Sequence, residues 1–358
     1  MLSNKNEILY SLNDVTIIPA KMTIISHRNQ CNPFTKSIEG LQDFYPVIAA
    51  PMSSIISPDN YKLFHNQKIS CIIPRSVPIE ERLKLCMDVM CAFSLQETID
   101  NFLNNKYSLL GGTIHVLIDI ANGHMNDELV LGEKLKEIYG NDIILMGGNI
   151  ANPETYLLYN EKGFDYLRVG IGGGSQCLTS TQTGIHYPMA SLISDIYSLI
   201  KDNQLKNNRT KIIADGGINT YSDAIKCLAL GADYVMMGKV FAKSKEACGP
   251  TYVLYDQETG NPQTYRRYYG MSTKKAQAEI LGFNTLEDAK KDNNVKLKTA
   301  EGRSEDLKVE YTLQGWVENF DSYLRSAMSY TGSMNLSTFK RCQVRIISPS
   351  SGILINNK

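Results

Sequence analysis

Eight short apolar segments alternate with helix-like segments between residues 46 and 240, and this alternation restricts the possible folds more than any other feature of the chain. Strands that helices cover on both faces of a parallel sheet appear in sequence as such continuous apolar runs. The segments are Pro46–Pro51, Ile69–Arg75, Val89–Ser94, Ile114–Ile120, Ile143–Ile150, Tyr166–Gly172, Lys211–Gly216 and Tyr234–Val240. Eight parallel strands with helices between them close naturally into a barrel.

The spacers between these segments carry signals for helix starts. A capping residue or a proline precedes an amphipathic stretch at Ser57–Asp59, Pro78–Glu81, Asn152–Glu154 and Thr220–Asp223. The sequence therefore predicts one α/β domain over residues 1–358, a (β/α)8 TIM barrel with its strands at about 46–240. An N-terminal extension precedes the barrel, and residues 241–358 form a C-terminal flap and subdomain. An open, doubly wound sheet is the structural alternative.

Three segments after the barrel have recognisable patterns. Tyr265–Tyr269 is expected to be a strand of the subdomain, Asp288–Lys298 an exposed polar excursion, and Tyr311–Tyr330 an amphipathic helix.

Charge and composition exclude several function classes. The 37 Lys and Arg residues balance 37 Asp and Glu residues, so no nucleic-acid-binding surface is indicated. No apolar run approaches the roughly 18 residues of a membrane span. The polar start at residues 1–7 is unlike a secretory signal. A cytoplasmic protein without a membrane partner is predicted.

Metal and disulfide frameworks are also disfavoured. The eight cysteines show no Cys-x-x-Cys spacing, and the five histidines show no His-Glu-x-x-His pattern, so neither a zinc site nor a catalytic metal is indicated. Cys71, Cys86, Cys91 and Cys227 lie in apolar or amphipathic runs, which is typical of small buried hydrophobic residues. Cys177 is different because its neighbours are Gly, Ser, Gln and Thr.

Polar residues occur where the predicted strands end. Chemistry in a (β/α)8 barrel collects at the C-terminal ends of the strands. Asp119, Asn149 and Asp215 each end an otherwise apolar strand. The other residues in such positions are Met52, Ser53, Arg75, Ser94, Gly216, Gly217, Gly238 and Lys239. Each residue alone could be a helix cap or a turn former, but together they indicate a site.

The ends of strands seven and eight are candidates for a phosphate site. Gly216 and Gly217 follow the seventh strand and Gly238 follows the eighth, where many barrels bind phosphate through backbone N–H groups. Lys239 would add a positive charge there. The alternative interpretation is a pair of ordinary turns.

The loop Gly172–Gly184 is long and polar for a connection between a strand and a helix. Its glycine-rich start, Gly170–Ser175, has Ser in place of the third Gly of a dinucleotide-binding turn and leads into no helix, so it is not a Rossmann motif. Cys177 is a candidate nucleophile, and Thr179 would relay a proton if a carboxylate activated it. A cysteine without a catalytic task is the alternative.

At this point the sequence resembles the family of IMP dehydrogenases and GMP reductases across essentially the whole chain. The motifs occur in family order at Leu12–Pro19, His27–Cys31, Pro46–Met52, Ile118–His124, Gly147–Asn149, Val169–Cys177, Ala214–Gly217, Tyr269–Ser272 and Ala300–Gly302. Each motif is moderately specific, and their ordered combination is highly specific.

Several sequence details resemble the reductase branch of the family more than the dehydrogenase branch. One helix at Pro78–Asp88 stands where dehydrogenases insert a pair of regulatory CBS domains, and no Arg-Tyr pair for water activation lies between Met271 and Glu301. The spacing of Cys177, Thr179 and Thr183 and the segment Tyr268–Ser272 also resemble the reductases. Pro51 before Met52 instead resembles the dehydrogenases.

The resemblance implies NADPH-dependent reductive deamination of GMP to IMP with release of ammonia. Cys177 would form a thioimidate at C2 of the purine, and Thr179 and Glu301 would handle the proton. The substrate-binding residues implied are Ser175, Asp215, Gly216, Gly217, Gly238, Lys239, Gly270, Met271, Ser272 and Gly302.

The resemblance also implies a cofactor site, a cation and an assembly. The NADPH-binding residues would be Arg28, Arg75, Asp119, Ile120, Ala121, Ile171, Gly172, Ser326 and Tyr330. Potassium, if bound, would use the backbone carbonyls of Gly172, Gly174 and Cys177. A homotetramer is implied, in which Ser326–Tyr330 reach the cofactor of a neighbouring subunit.

Two other functions stay open on the sequence alone. One is a compact IMP dehydrogenase that lacks regulatory domains and converts IMP to XMP with NAD. The other is a purine-nucleotide-binding barrel that has lost catalysis.

Overall fold

The computed structural model describes residues 8–104, 112–205, 209–255, 260–348 and 351. The polar start at residues 1–7 therefore lies outside the described residues. The strands are β1 (Val15–Ile17), β2 (Val47–Ala49), β3 (Ser70–Ile73), β4 (Met90–Phe93), β5 (Ile114–Ile118), β6 (Ile143–Ile150), β7 (Tyr166–Val169), β8 (Lys211–Asp215), β9 (Tyr234–Met237), β10 (Thr251–Tyr255), β11 (Pro262–Tyr269), β12 (Ser304–Lys308) and β13 (Val344–Ile346).

Strands β2 to β9 form a closed parallel barrel in chain order, and β2 pairs with β9 to close it. All eight predicted segments form one strand each, which confirms the (β/α)8 TIM barrel. The helices are α1 (Tyr61–Asn66), α2 (Ile79–Leu85), α3 (Leu95–Thr98), α4 (Asn126–Tyr139), α5 (Thr155–Glu161), α6 (Thr179–Thr183), α7 (Met189–Asp202), α8 (Tyr221–Leu230), α9 (Lys239–Ala242), α10 (Lys274–Ile280), α11 (Leu286–Lys291), α12 (Leu313–Tyr330) and α13 (Leu336–Phe339).

The apolar runs divide between two cores because side chains alternate along a strand. In β5, Val116 and Ile118 pack in the outer core between strands and helices, whereas Leu117 belongs to the inner core of the barrel. Both cores exclude water, so four of the five positions of the strand are apolar, and the fifth, His115, is only 6% exposed. Ile38, from the N-terminal extension, joins the inner core.

The predicted helix starts are present. Thr220 caps α8, since its hydroxyl accepts from the Asp223 amide (3.1 Å) and the Asp223 carboxylate accepts from the Thr220 amide (3.0 Å). Pro78 and Pro188 immediately precede α2 and α7. At the start of a helix, a capping side chain accepts from an amide that would otherwise lack a partner. A proline has no amide that needs a partner.

The C-terminal part contains a three-stranded antiparallel sheet, β10–β11–β12, which includes the predicted strand Tyr265–Tyr269. Helix α12 agrees with the predicted amphipathic helix and buries Trp316, Phe320 and Leu324. The prediction of an exposed polar excursion at Asp288–Lys298 was partly wrong, because α11 continues to Lys291 and buries Ala289. Thr285 caps this helix by accepting from the Asp288 amide (3.1 Å), a signal that the polar composition obscured.

Within the described ranges, no helix is both long and apolar enough to cross a bilayer.

Glu39 lies buried beside strand β4, and it makes stability depend on pH. Its carboxylate is 3% exposed, accepts from the Met90 amide (3.4 Å) and lies 3.9 Å from His65 Nε2. Burial raises the pKa of Glu39 to about 7. Its proton is thus held in the folded state at pH values where the unfolded chain, with an ordinary carboxyl pKa, has lost it.

The Glu39→Gln variant is therefore expected to become more stable relative to the wild type as pH rises. The wild type loses stability between the unfolded pKa and about 7, since folding must then bury an anion, and the glutamine variant has no such loss. The difference in free energy of unfolding should grow by about 2–3 kcal/mol between pH 5 and pH 8. Urea denaturation at both pH values measures it. The exposed Glu81→Gln is the control, and a pH-independent difference for Glu39→Gln would contradict the expectation.

Candidate active site

A cavity of about 880 Å³ opens at the C-terminal ends of the barrel strands. Its volume lies towards the upper end of the range typical of small-molecule sites. It brings together the predicted residues Arg75, Asp119, Ile120, Ala121, Ile171, Gly172, Gly174, Ser175, Cys177, Thr179, Asp215, Gly216, Gly217, Gly238, Lys239, Gly270, Met271, Ser272 and Glu301. Arg28, Gly302, Ser326 and Tyr330 are not among the described residues that line it.

The candidate nucleophile is the first member of a hydrogen-bonded chain. Cys177 Sγ donates to Thr179 Oγ1 (3.2 Å), and Thr179 Oγ1 donates to Glu301 Oε2 (3.3 Å). Thr179 is the first residue of α6, which places its side chain beside the end of the Cys177 loop. A proton can therefore move from the thiol to the carboxylate through the hydroxyl.

Backbone contacts join the Cys177 loop to the segment around Glu301. Cys177 and Gly302 form an antiparallel bridge, and the Leu178 amide donates to the Glu301 carbonyl (2.8 Å). A Cβ atom on Gly302 would lie 2.8 Å from Ser272 Oγ. Gly302 thus supports the site by allowing a close approach, although it does not line the cavity.

Two part-buried polar pairs line the cavity. Asn149 Nδ2 donates to Asp215 Oδ2 (2.8 Å), and Arg168 Nη2 donates to Asp119 Oδ1 (2.8 Å). Burial raises the pKa of Asp215, against the opposing effects of Arg168 and the Asn149 hydrogen bond. The three polar residues at strand ends therefore meet at one edge of the barrel, as their positions predicted.

One end of the cavity is built from glycine backbone. Gly216 and Gly217 have positive φ values (106° and 77°), which disfavour any residue with a side chain. A Cβ atom would also lie 3.1 Å from the Gly174 nitrogen at Gly216 and 3.0 Å from the Gly173 carbonyl oxygen at Gly217. A Cβ atom on Gly238 would lie 2.5 Å from Tyr268 Oη. Such an end can bring backbone N–H groups close to an anion.

Lys239 lies at the same end as the first residue of α9. Its ammonium group is not free, because Nζ lies 2.9 Å and 3.0 Å from the two carboxylate oxygens of Glu305. A charge at this position was expected, but its partner on strand β12 was not.

The opposite part of the cavity is mixed apolar and cationic. Ile120, Ala121 and Ile171 line it, together with Arg75. Arg75 Nη1 lies 3.5 Å from the Asp119 carbonyl oxygen, and Arg75 Nε lies 3.8 Å from Glu97 Oε2. These residues give this part of the cavity an apolar lining with one cationic side chain.

Three predicted cofactor residues lie apart from this cavity. Arg28 Nη1 donates to Ser326 Oγ (3.3 Å), so the N-terminal extension and α12 meet there. Tyr330, at the end of α12, is 69% exposed. These three residues therefore do not join the predicted cofactor residues that line the cavity.

Arg168, Tyr268 and Glu305 are among the residues at or near the site to which sequence reasoning gave no role. Arg168 interrupts the apolar run of β7 and is only 5% exposed. A charge in a strand that is buried on both faces is rare unless it is paired, so the signal was present. Tyr268 and Glu305 lie opposite each other on β11 and β12. That pairing depends on a register that sequence patterns did not indicate.

Comparisons with known proteins identify the family to which the chain is similar. A family model described as the IMP dehydrogenase / GMP reductase domain matches residues 96–354, more than half of the chain. A GMP reductase of Staphylococcus epidermidis is 25% identical over 349 residues, covering 96% of this chain and 97% of that protein. A GMP reductase of Vibrio vulnificus is 26% identical over 99% of both chains. An inosine-5'-monophosphate dehydrogenase of Chlorobaculum parvum is 31% identical, over 63% of this chain and 43% of that protein.

Proposed function

The chain belongs to the IMP dehydrogenase/GMP reductase family, and from this premise we propose that it is an enzyme that reduces GMP to IMP with NADPH and releases ammonia. The chain from Cys177 through Thr179 to Glu301, which opens into a cavity with a glycine-lined end, carries the proposal. Near full-length similarity to GMP reductases supports the reductase branch, since the dehydrogenase cited above matches over less than half of its own length.

Substrate binding follows from the chemistry of the cavity. The 5'-phosphate would meet backbone N–H groups at Ser175, Gly217 and Gly238. The buried carboxylate of Asp215 would accept hydrogen bonds from the ribose hydroxyls. The base would then lie near the remaining predicted contacts, Gly270, Met271 and Ser272, within reach of the Cys177 sulfur.

The first step exchanges the exocyclic amine of GMP for sulfur. Glu301 accepts the Cys177 proton through the Thr179 hydroxyl, and the thiolate forms a bond to C2, a carbon made electron-poor by two ring nitrogens. The bond from C2 to the exocyclic nitrogen then breaks. The same relay returns the proton, so the NH2 group leaves as ammonia and a thioimidate remains on Cys177.

The second step regenerates the thiol. The dihydronicotinamide supplies a hydride to C2 when it is bound. The carbon–sulfur bond breaks, the electron pair returns to Cys177, and the thiolate takes up a proton to give IMP and free enzyme. The protein holds the reacting groups together and keeps the proton relay in place.

The residues on the far side of the cavity fit a nicotinamide cofactor. Ile120, Ala121 and Ile171 offer an apolar contact for a planar ring. Arg75 offers a cation for the cofactor's phosphates, and Asp119 and Gly172 complete this side. We propose a homotetramer, in which Arg28, Ser326 and Tyr330 serve the cofactor of a neighbouring subunit.

A potassium ion fits less well. The Ser180 hydroxyl donates to the Gly172 carbonyl (2.9 Å), and the Cys177 amide donates to the Gly174 carbonyl (3.0 Å). Two of the three predicted carbonyl ligands thus already accept internal hydrogen bonds. A cation would have to compete with them, and no step above needs one.

The test of the proposed function is an assay with purified protein. Addition of GMP is expected to cause oxidation of NADPH, with one ammonia and one IMP formed per NADPH consumed. Absorbance at the NADPH band, an ammonia assay and chromatography measure the three amounts. Formation of NADH from IMP and NAD would favour the compact dehydrogenase instead. Tight nucleotide binding without turnover of either would favour a barrel that has lost catalysis.

A further inference from the structure

The Glu305 carboxylate bridges two parts of the site that the proposed mechanism uses separately. Its Oε1 accepts from Gln176 Nε2 (2.6 Å), and both of its oxygens lie within 3.0 Å of Lys239 Nζ. Gln176 directly precedes Cys177, and Lys239 directly follows Gly238. Glu305 therefore links the nucleophile's loop to the glycine-lined end of the cavity.

The two partners of Glu305 are held differently. Gln176 is 4% exposed, and within the part of the chain described here its Oε1 has no hydrogen-bond partner. Among the described residues, Glu305 is thus the hydrogen-bond partner of the Gln176 side-chain amide. Lys239 is more accessible, with 29% of its side chain exposed, and it lines the cavity, whereas Glu305 does not. The ammonium group is therefore reachable from the cavity, and Glu305, whose side chain is 35% exposed, holds it without lining the cavity itself.

This arrangement places the carboxylate of Glu305 next to the end of the cavity where the proposed function requires the substrate's phosphate to bind. A phosphate at the glycine-lined end would approach the Lys239 ammonium from the cavity while Glu305, which does not line the cavity, still holds it. The carboxylate and a phosphate dianion repel each other, and they compete for the same ammonium. A phosphate monoester, with two negative charges, competes more strongly than a singly charged or neutral group.

We propose that Glu305 is a specificity residue for the substrate's phosphate: it neutralises Lys239 in the empty site and yields it to a dianionic phosphate monoester. The inference rests on the proposed function for the identity of the full substrate. The competition itself concerns only an anion at the glycine-lined end. Gln176, the second partner of Glu305, directly precedes Cys177 and thus connects phosphate binding to the nucleophile's loop.

Glu305→Gln tests this competition. Glutamine keeps an oxygen that can accept from Gln176, but it removes the charge that holds Lys239. The affinity for inorganic phosphate, measured by titration calorimetry, is expected to rise about fivefold. The KM for GMP should fall by a similar factor. In the Lys239→Met background the same substitution should give a much smaller gain, because the contested ammonium is absent.

The matched control is Glu310→Gln, which removes a glutamate paired with Lys243 (3.0 Å) just beyond α9. It should leave phosphate affinity unchanged. An unchanged or weaker affinity in Glu305→Gln would overturn the competition, and so would an equal gain with and without Lys239. Phosphate binding needs no turnover. A protein that fails to reduce GMP but binds phosphate more tightly as Glu305→Gln would therefore contradict the proposed function and support this inference.

Discussion

Replacing Cys177 by serine is expected to lower kcat for GMP reduction by at least about 10³-fold while GMP still binds. The serine hydroxyl can keep the hydrogen bond to Thr179, so the loop and the relay should stay in place. A hydroxyl is a far weaker acid than a thiol, and its oxygen is a poorer leaving group when the hydride arrives at C2. Both proposed steps therefore slow. Steady-state kinetics and GMP affinity measured by calorimetry separate catalysis from binding.

A matched control for this substitution is Cys248→Ser. Cys248 is not among the described residues that line the cavity, and its thiol donates to the Ser53 carbonyl (3.3 Å). Burial of the sulfur raises the pKa of Cys248 to about 11, so it remains a thiol at neutral pH. The control should turn over at the wild-type rate. Mass spectrometry of trapped turnover mixtures should show a nucleotide adduct on Cys177 in the wild type and in Cys248→Ser, and no adduct in Cys177→Ser. A serine variant with more than a tenth of the wild-type rate would exclude the covalent route.

The barrel was accessible to sequence reasoning because one physical condition governs all eight strands. Each strand is covered on both faces, so a run such as that of β4 has no polar position until Ser94 follows it. Parallel strands also end at the same edge. The meeting of Asn149 with Asp215 follows from those two facts without any knowledge of side-chain positions.

The proton relay was not accessible in this way. Thr179 and Glu301 are 122 residues apart, and no periodicity or spacing relates them. Glu301 entered through family resemblance alone. Its placement depends on the bridge between Cys177 and Gly302, a contact between a barrel loop and the C-terminal subdomain.

The partner of Lys239 shows a second limit. The sequence indicated a cation beside the glycines, but pairing with Glu305 requires the register of β11 against β12. In a partly exposed sheet the pattern of polar and apolar residues specifies register weakly. The segment Ser304–Lys308 is mostly exposed and polar, so nothing in it marks which side chain faces the barrel.

Replacing Glu301 by glutamine is expected to lower kcat about 10²- to 10³-fold with little change in GMP affinity. The Leu178 amide bonds to the backbone carbonyl of Glu301, so the loop contact survives the substitution. What is lost is the carboxylate that takes the thiol proton and returns it to the departing ammonia. Exposed Glu287→Gln is the control for a change of charge, and it should have no effect on kcat.

The relay predicts how this loss combines with changes at Thr179. Thr179→Val should lose about as much activity as Glu301→Gln, because either change interrupts the same path from the Cys177 sulfur to the carboxylate. The double variant should then be hardly slower than either single variant, as expected for residues that act as a unit. Thr179→Ser retains the hydroxyl and should restore most of the activity. Losses that multiply in the double variant, measured as kcat under saturating GMP and NADPH, would show that Thr179 and Glu301 act independently and that no relay joins them.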